Sequence, residues 1–182
     1  MTGAAGLPQW KQTYSDIVSQ LVRECRTFYA ERLVSFCLFG SVGRESMHYA
    51  SDIDFLIVAD PLPAGRVKRV REFCQVELKL AEGLAWARRN GISIELSPVL
   101  KTPAEVQLGS LLFLDMLEDG RILFDRDDFL KAYFTCFKNR LDQLGAKRIR
   151  KGDAWYWIFA ANSTSSQFRH ACSADTPTHT LP

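Results

Sequence analysis

The chain has 182 residues, of which 47% are hydrophobic and 24% charged, and its formal net charge is +2. This length suits one α/β domain with a small addition and allows about 70% of the unfolded surface to be buried. The nearly neutral charge gives no reason to expect a protein that wraps nucleic acid, although local basic clusters leave that partner open. We find neither a membrane-length apolar run nor a signal-peptide pattern, so we expect a cytoplasmic protein with no membrane partner.

The cysteines are scattered along the chain, without CxxC spacing or a Cys/His cluster. Most of them fall on apolar faces, where a reduced cysteine behaves as a small hydrophobic residue. We therefore expect free thiols and no structural zinc. The five positions are Cys25, Cys37, Cys74, Cys136 and Cys172.

The first predicted element is an amphipathic helix beginning near Tyr14, with apolar residues at three- and four-residue steps as far as Tyr29. The segment before it, residues 1–12, contains small residues, glycine and proline, so we expect a flexible N-terminus. The predicted domain occupies residues 13–160. Residues 161–182 are small and polar and are expected to form a disordered tail.

A strand and a turn follow. Residues 33–39 favour a buried strand, and Gly40 ends it. Glycine accepts a positive φ and lets a ligand approach the backbone, while the hydroxyl of Ser41 can donate to a phosphate oxygen. A helix opening at Ser41 would strengthen such an anion site. Arg44 adds a fixed charge that can fork onto phosphate.

Two acids come after this turn. Asp52 and Asp54 are two residues apart, so on a strand both carboxylates leave the same face, with Cα atoms about 6.5–7 Å apart. Side chains placed in this way can hold one hard cation or bridge two. Burying two like charges without a cation would be costly. The pair therefore predicts a metal site, whereas an ordinary loop and strand with one exposed acid is the alternative.

Taken together, these residues resemble a known signature. Gly40-Ser41, a ten-residue spacer and Asp52-x-Asp54 are similar to the motif of the minimal nucleotidyltransferases of the DNA polymerase β superfamily. The resemblance covers roughly residues 33 to 100. It implies an α/β (α+β) fold, with a small mixed β-sheet, flanking helices and a short C-terminal helical extension.

The resemblance also implies a chemistry. We expect a transferase that moves a nucleoside monophosphate, with AMP from ATP as the leading case, onto an acceptor hydroxyl with two Mg²⁺ ions. It implies catalytic and metal-binding roles for Asp52, Asp54 and Glu95. It implies nucleotide contacts from Gly40, Ser41, Arg44 and Ser51.

Glu95 lies within residues 92–99, which alternate like a half-buried strand after Gly91. In the resembled superfamily a third carboxylate occupies a later strand beside the Asp pair, and Glu95 matches it. Such an acid would complete a two-cation site or orient the attacking hydroxyl. The alternative is an acid on the solvent face of an edge strand.

Residues 66–89 predict a second long helix, with a basic outer face that is either solvated or steers a nucleotide or RNA end. Its apolar positions predict a buried stripe of Val67, Val70, Cys74, Leu78, Ala81 and Ala85. The basic face carries Arg66, Lys68, Arg69 and Arg71.

Two helices, two strands and a basic run are predicted downstream. Thr102, Pro103 and Glu105 form a capping-box pattern that opens a helix running to Leu117. Residues 122–124 predict a short strand after a turn, and a second capped helix begins near Asp127. The basic run 147–151 is expected as a solvated turn, or as a phosphate or RNA contact. Residues 155–157 follow as an edge strand.

The acceptor is not identified by the sequence. Proteins similar to this one modify antibiotics, RNA ends or tyrosines of other proteins. A small stand-alone chain resembles the antitoxin of a toxin–antitoxin pair, with a helical toxin as its partner. The alternatives are a non-catalytic module of the same fold that binds a nucleotide or a partner, and a small-molecule (antibiotic) nucleotidyltransferase.

Overall fold

A four-stranded mixed sheet forms the centre of the computed structural model, which describes residues 9–151 and 154–158. Its strands run in the order β3-β2-β1-β4. Strand β1 is antiparallel to both of its neighbours, while β2 and β3 are parallel. The bounds are β1 Leu33–Phe39, β2 Ile53–Ala59, β3 Leu96–Lys101 and β4 Arg121–Asp125. The expected α/β class with a mixed sheet is confirmed.

Helices flank both faces of this sheet, and a separate hairpin, β5 Lys147–Lys151 with β6 Ala154–Ile158, follows the last helix. The first helix begins at Gln9, so residues 9–12, predicted to be flexible, are helical. The predicted tail, residues 161–182, lies outside the described residues. The helices are α1 Gln9–Tyr29, α2 Gly40–Gly43, α3 Arg66–Arg89, α4 Pro103–Gln107, α5 Leu112–Asp119 and α6 Phe129–Gln143.

The strands divide their side chains between two apolar layers, as period-two alternation requires. Helices α1 and α3 cover the face that carries Phe36 and Phe55, whose rings stack 5.3 Å apart. The ring of Phe55 also contacts Phe73 of α3. Helices α4, α5 and α6 cover the face that carries Leu56, with Phe113 among their contacts. β1 and β2 are thus fixed from both sides.

The buried stripe of α3 differs from the one that the sequence predicts. The helix has the expected bounds, but Val67 and Leu78 are 74% and 65% exposed. The buried positions are instead Phe73, Val76, Leu80 and Ala87. The reason is size: the ring of Phe73 reaches Phe55 in the sheet, and this contact sets the rotation of the helix.

The segment after β3 forms two helices instead of one. The capping box at Thr102 and Glu105 is present, with both reciprocal hydrogen bonds. Helix α4 nevertheless ends at Gln107, because Gly109 takes a φ of +79° and α5 begins only at Leu112.

The cap of α6 is also not the predicted one. Asp127 and Asp128 both have a φ of +53°, and Asp128 makes no side-chain cap. The carboxylate of Asp125 instead accepts from the backbone N–H groups of Leu130 and Lys131, each at 3.0 Å. It also accepts from the hydroxyl of Ser35 at 2.6 Å, so one acid ties β1 and β4 to this helix.

Two further expectations are corrected. The basic run 147–151 is a strand paired in antiparallel register with β6, and not a turn. Cys25, Cys37 and Cys74 are free thiols as expected, but Cys136 is disulfide-bonded. Scattered cysteines give no sequence signal for such a bond, since distance along the chain does not report distance in space.

No helix among the described residues is long and apolar enough to cross a membrane.

Candidate active site

The turn after β1 and the acidic end of β2 meet at one edge of the sheet. The antiparallel register pairs Phe39 with Asp54, so Asp54 lies beside Gly40. A Cβ atom built on Gly40 would collide with Oδ2 of Asp54, and Gly40 has a φ of +65°. Only glycine meets both demands without strain. The structure therefore places the Gly-Ser turn directly against one carboxylate of the pair.

The two acids lie close enough to repel each other. Burial raises the pKa of Asp54 above its ordinary value, and the charge of Asp52 raises it further, while Arg44 acts in the opposite direction. Asp54 is half-buried, whereas Asp52 is exposed. A half-buried carboxylate beside a second one is an arrangement that a bound cation would stabilise.

The backbone just before Asp52 is held by a buried tyrosine. The hydroxyl of Tyr14 donates to the carbonyl of Ser51 at 2.6 Å and accepts from the N–H of Ser51 at 2.9 Å. Burial raises the pKa of Tyr14, so the hydroxyl stays protonated and keeps donating. The sequence gives Tyr14 only as the start of an apolar stripe. Its role could have been suspected from a polar tip on a buried ring.

Ser51 itself is turned inward. Its side chain is 6% exposed, and its hydroxyl accepts from the N–H of His48 at 3.0 Å. The structure thus gives this residue a position inside the loop that carries Asp52, away from the exposed edge where a nucleotide would lie. The nucleotide contact predicted for Ser51 gains no support from this geometry.

Glu95 lies just before β3 and is exposed. Its carbonyl accepts from the N–H of Ile53 at 2.8 Å, and Ile53 pairs with Leu96 in the parallel ladder. The hydrogen bond and the ladder bring the backbone of Glu95 next to the start of β2, where Asp52 and Asp54 lie. The backbone therefore places all three predicted acids at one edge of the sheet.

The donor set suits a hard divalent cation, since carboxylate oxygens are the ligands that magnesium prefers. The carboxylates of Asp52 and Asp54 lie close enough to repel each other, and a bound cation would offset this repulsion. Across the described ranges, no three His, Cys, Asp or Glu side chains are grouped closely enough to hold a metal. The pair alone thus fits a cation, and Glu95 would have to turn inward to join it.

A chain of ion pairs runs from the turn to the hairpin. Arg44 Nη1 lies 3.3 Å from Asp119 Oδ2, at the end of α5. Arg148 of β5 binds the same carboxylate through both of its terminal nitrogens, at 2.7 and 3.5 Å. No sequence pattern indicates this link, because its members are distant in the chain and Asp119 precedes a glycine, as an acid in an ordinary turn would.

Comparison with known proteins agrees with this fold. The model of the family described as "Nucleotidyltransferase domain" matches residues 18–94, which include the Gly-Ser turn and the acidic pair. A curated protein of Methanocaldococcus jannaschii, named "Putative protein adenylyltransferase", is 31% identical over 143 residues, covering 78% of this chain and 92% of its own. The chain therefore belongs to the nucleotidyltransferase family of the DNA polymerase β superfamily, and it is an enzyme of the transferase class.

Two solved structures have more distant likenesses. One is a toxin–antitoxin crystal structure with AMP-PNP, with 17% identity, a TM-score of 0.43, and coverage of 70% of this chain and 91% of that one. The other is a spectinomycin adenyltransferase from Enterococcus faecialis with ATP and spectinomycin, with 13% identity, a TM-score of 0.44, and coverage of 70% and 67%. Both TM-scores are below 0.5, so neither likeness bears on the acceptor used by this chain.

Proposed function

We propose that this protein is a cytoplasmic, magnesium-dependent adenylyltransferase that moves AMP from ATP onto a hydroxyl group of a protein. One observation supports this most directly: the carboxylate of Asp54 lies against Gly40, with Asp52 and Arg44 next to it. Anionic ligands for cations and a glycine turn open to phosphate then share one edge of the sheet. The name of the archaeal relative supports adenylyl transfer to a protein.

Asp52 and Asp54 would hold the cations, two Mg²⁺ ions in the full site, with Glu95 as a third ligand or as the base. When bound, magnesium neutralises phosphate charge, acidifies the attacking hydroxyl and stabilises the pyrophosphate that leaves. Burial of the Asp54 side chain suits this role, because a partly desolvated carboxylate binds a cation more strongly than a fully hydrated one.

The phosphates would lie on the turn at Gly40 and Ser41. The missing side chain of Gly40 lets the carboxylate of Asp54 lie against the turn, which would bring a bound cation close to the phosphates. Ser41 contributes a hydroxyl donor. Arg44 adds a guanidinium that can contact two phosphate oxygens at once. Ser51, for which a nucleotide contact is predicted, holds the loop before Asp52 through its bonds to Tyr14 and His48.

The reaction is an in-line displacement at the α-phosphorus. The acceptor oxygen forms a bond to that phosphorus, the bond to the bridging oxygen of the β-phosphate breaks, and pyrophosphate leaves with the electron pair. With Glu95 as the base, the proton of the acceptor hydroxyl would pass to its carboxylate and from there to solvent, which the exposed position of Glu95 allows. Catalysis rests on positioning and charge stabilisation, without a covalent enzyme intermediate.

The test uses the full chain with magnesium and ATP labelled at either the α- or the γ-phosphate, together with proteins of the host cell. Adenylyl transfer leaves label on protein from α-labelled ATP and none from γ-labelled ATP. The double variant Asp52→Asn, Asp54→Asn should lose this labelling, whereas Asp115→Asn, an exposed acid of α5, should keep it. Unchanged labelling by the double variant would remove the proposal.

The same labelling separates the other acceptors. A helical toxin as the labelled protein would identify an antitoxin, whereas label on RNA or on an aminoglycoside-like compound would replace protein as the acceptor. A binding module would take up ATP and label nothing.

A further inference from the structure

The ion pairs that join the turn to the hairpin involve one carboxylate and two guanidinium groups. Asp119 is the last residue of α5, and its side chain is 14% exposed. Arg148 is buried to the same degree, while Arg44 is 37% exposed. Arg44, the more accessible of the two cations, is therefore the one beside Asp54 and the proposed triphosphate position.

Asp119 is in an unfavourable place for helix stability. An acid in the last turn of a helix meets the negative end of the helix dipole. Burying it adds a desolvation cost that ion pairing offsets only in part, so such a network is weak evidence for a stabilising role. A carboxylate kept here against both effects points to a function for the arginines that it orients.

The geometry shows how the carboxylate is fixed. Arg148 approaches it with both terminal nitrogens, at 2.7 Å to Oδ2 and 3.5 Å to Oδ1, which limits rotation of the carboxyl group. Below it, a Cβ on Gly43 would lie only 2.7 Å from the carbonyl oxygen of Asp119, so the end of α5 is packed directly on the turn. Oδ2 is then presented to Arg44 Nη1 from a rigid base.

The hairpin that supplies Arg148 is attached to the rest of the protein on the same side. Arg148 pairs with Trp157 across the two strands, and directly opposed residues share a face of an antiparallel pair. Trp157 packs against the apolar layer of α5 and α6. The hairpin therefore delivers one arginine to the edge of the active site together with an aromatic anchor.

We propose that Asp119 is a positioning residue for nucleotide binding: held by Arg148, it orients the guanidinium of Arg44 toward the triphosphate. This inference rests on the proposed function. It assigns a task to a carboxylate and to a hairpin arginine that neither the family motif nor the acidic pair includes. Arg44 remains the group that touches phosphate, and Asp119 acts through it.

The experiment is a double-mutant cycle on the full chain, with KM for Mg·ATP and kcat as readouts. Asp119→Asn should raise KM about tenfold and lower kcat less than about threefold, because a lost charge-assisted hydrogen bond weakens binding in the ground and transition states alike. In an Arg44→Gln background the same change should alter KM less than about twofold, since the residue through which it acts is gone.

Two variants extend the cycle if Asp119→Asn unfolds. Arg148→Lys keeps the charge but cannot make two parallel hydrogen bonds, so KM should rise about threefold. Arg148→Gln should approach the effect of Asp119→Asn, and both should lose that effect in the Arg44→Gln background. Glu118→Gln, a neighbouring acid on α5 that is 42% exposed, is the matched control and should leave KM unchanged.

The outcomes separate the two proposals. If the wild-type chain transfers no AMP, the proposed function is wrong. If it transfers AMP but Asp119→Asn and the Arg148 variants change KM equally with and without Arg44, these residues act on stability or by another route, and the positioning role is overturned. A drop in melting temperature that accounts for the loss of activity at the assay temperature would overturn it as well.

Discussion

The two faces of strand β2 carry different tasks at the end nearest the turn. Ile53 and Phe55 point into the layer beneath α1 and α3 and are fully buried. Asp52 and Asp54 alternate with these residues, and Asp52 is exposed while Asp54 is half-buried. Alternation along residues 52–55 thus places apolar side chains in the core and acidic side chains in the site. Because neighbouring residues face different surroundings, a substitution on one face should affect stability and a substitution on the other should affect activity.

The largest expected effect lies on the acidic face. Asp54→Asn should lower AMP transfer by about 10³-fold, because the site loses a charge that the cation needs. Stability should move in the other direction. Burial raises the pKa of Asp54 in the folded state, so its ionisation favours the unfolded chain, and stability is lost as pH rises from the unfolded pKa through the folded one.

Metal-free melting curves between pH 3 and pH 8 check this sign. The wild type should lose stability over that rise relative to Asp54→Asn, and the variant should be the more stable protein at neutral pH. Added magnesium should reduce the difference. If Asp54→Asn melts lower than the wild type at neutral pH without metal, the carboxylate stabilises the fold and the division between the faces is wrong.

On the anchoring face, Phe55→Ala should reduce the free energy of unfolding by about 3–5 kcal/mol, which is the usual cost of removing a buried ring. Phe55 touches both Phe36 and Phe73, so the loss would affect the sheet and α3 together. Chemical denaturation measures the change. Tyr156→Ala is the control, because this aromatic residue of the hairpin is 46% exposed and should change stability by less than about 0.5 kcal/mol.

A substitution at Gly40 tests how strongly activity depends on the contact between the Gly-Ser turn and Asp54. Gly40→Ala adds the cost of a left-handed residue, about 1–2 kcal/mol, and pushes a methyl group into the Asp54 carboxylate. We expect AMP transfer to fall by about 10- to 100-fold, since small displacements of catalytic groups are costly. Gly91→Ala is the matched control: its φ is +76°, but nothing lies within 4 Å of the added atom. It should share the loss of stability and keep its activity.

A smaller effect is expected where α3 meets α4. Arg69 donates to Glu105 at 2.6 Å, and this bond, opposed by burial and helped by the Thr102 N–H, lowers the pKa of Glu105. A lowered folded pKa gives stability that is present above the unfolded pKa and is lost as pH falls through the folded one. Glu105→Ala should cost about 1 kcal/mol at neutral pH, and less in acid. A cost that stays equal at pH 3 and pH 7 would contradict this ionic contribution.

Much of the fold could be predicted because its local signals are strong. The bounds of β1 and α3 follow from Gly40 and Gly91, and the capping box at Thr102 is present as expected. The closeness of the Gly-Ser turn and the two acids could be predicted for the same reason, since they lie on two consecutive strands with a short spacing between them. The roles of Asp119, Arg148 and Tyr14 could not be predicted, because each residue contacts others that are far away in the chain and no local sequence pattern marks it.

The stripe of α3 shows how periodicity alone fails, and Leu78→Ser tests the correction with the smallest expected effect. Two apolar stripes share this helix, and helical spacing fits both of them. Contact with Phe55 favours the one that contains Phe73 and leaves Leu78 65% exposed. The substitution should therefore change the free energy of unfolding by less than about 0.5 kcal/mol, whereas Phe73→Ala should cost about 3–5 kcal/mol. Similar losses from both variants would mean that α3 is rotated so that the predicted stripe faces the sheet.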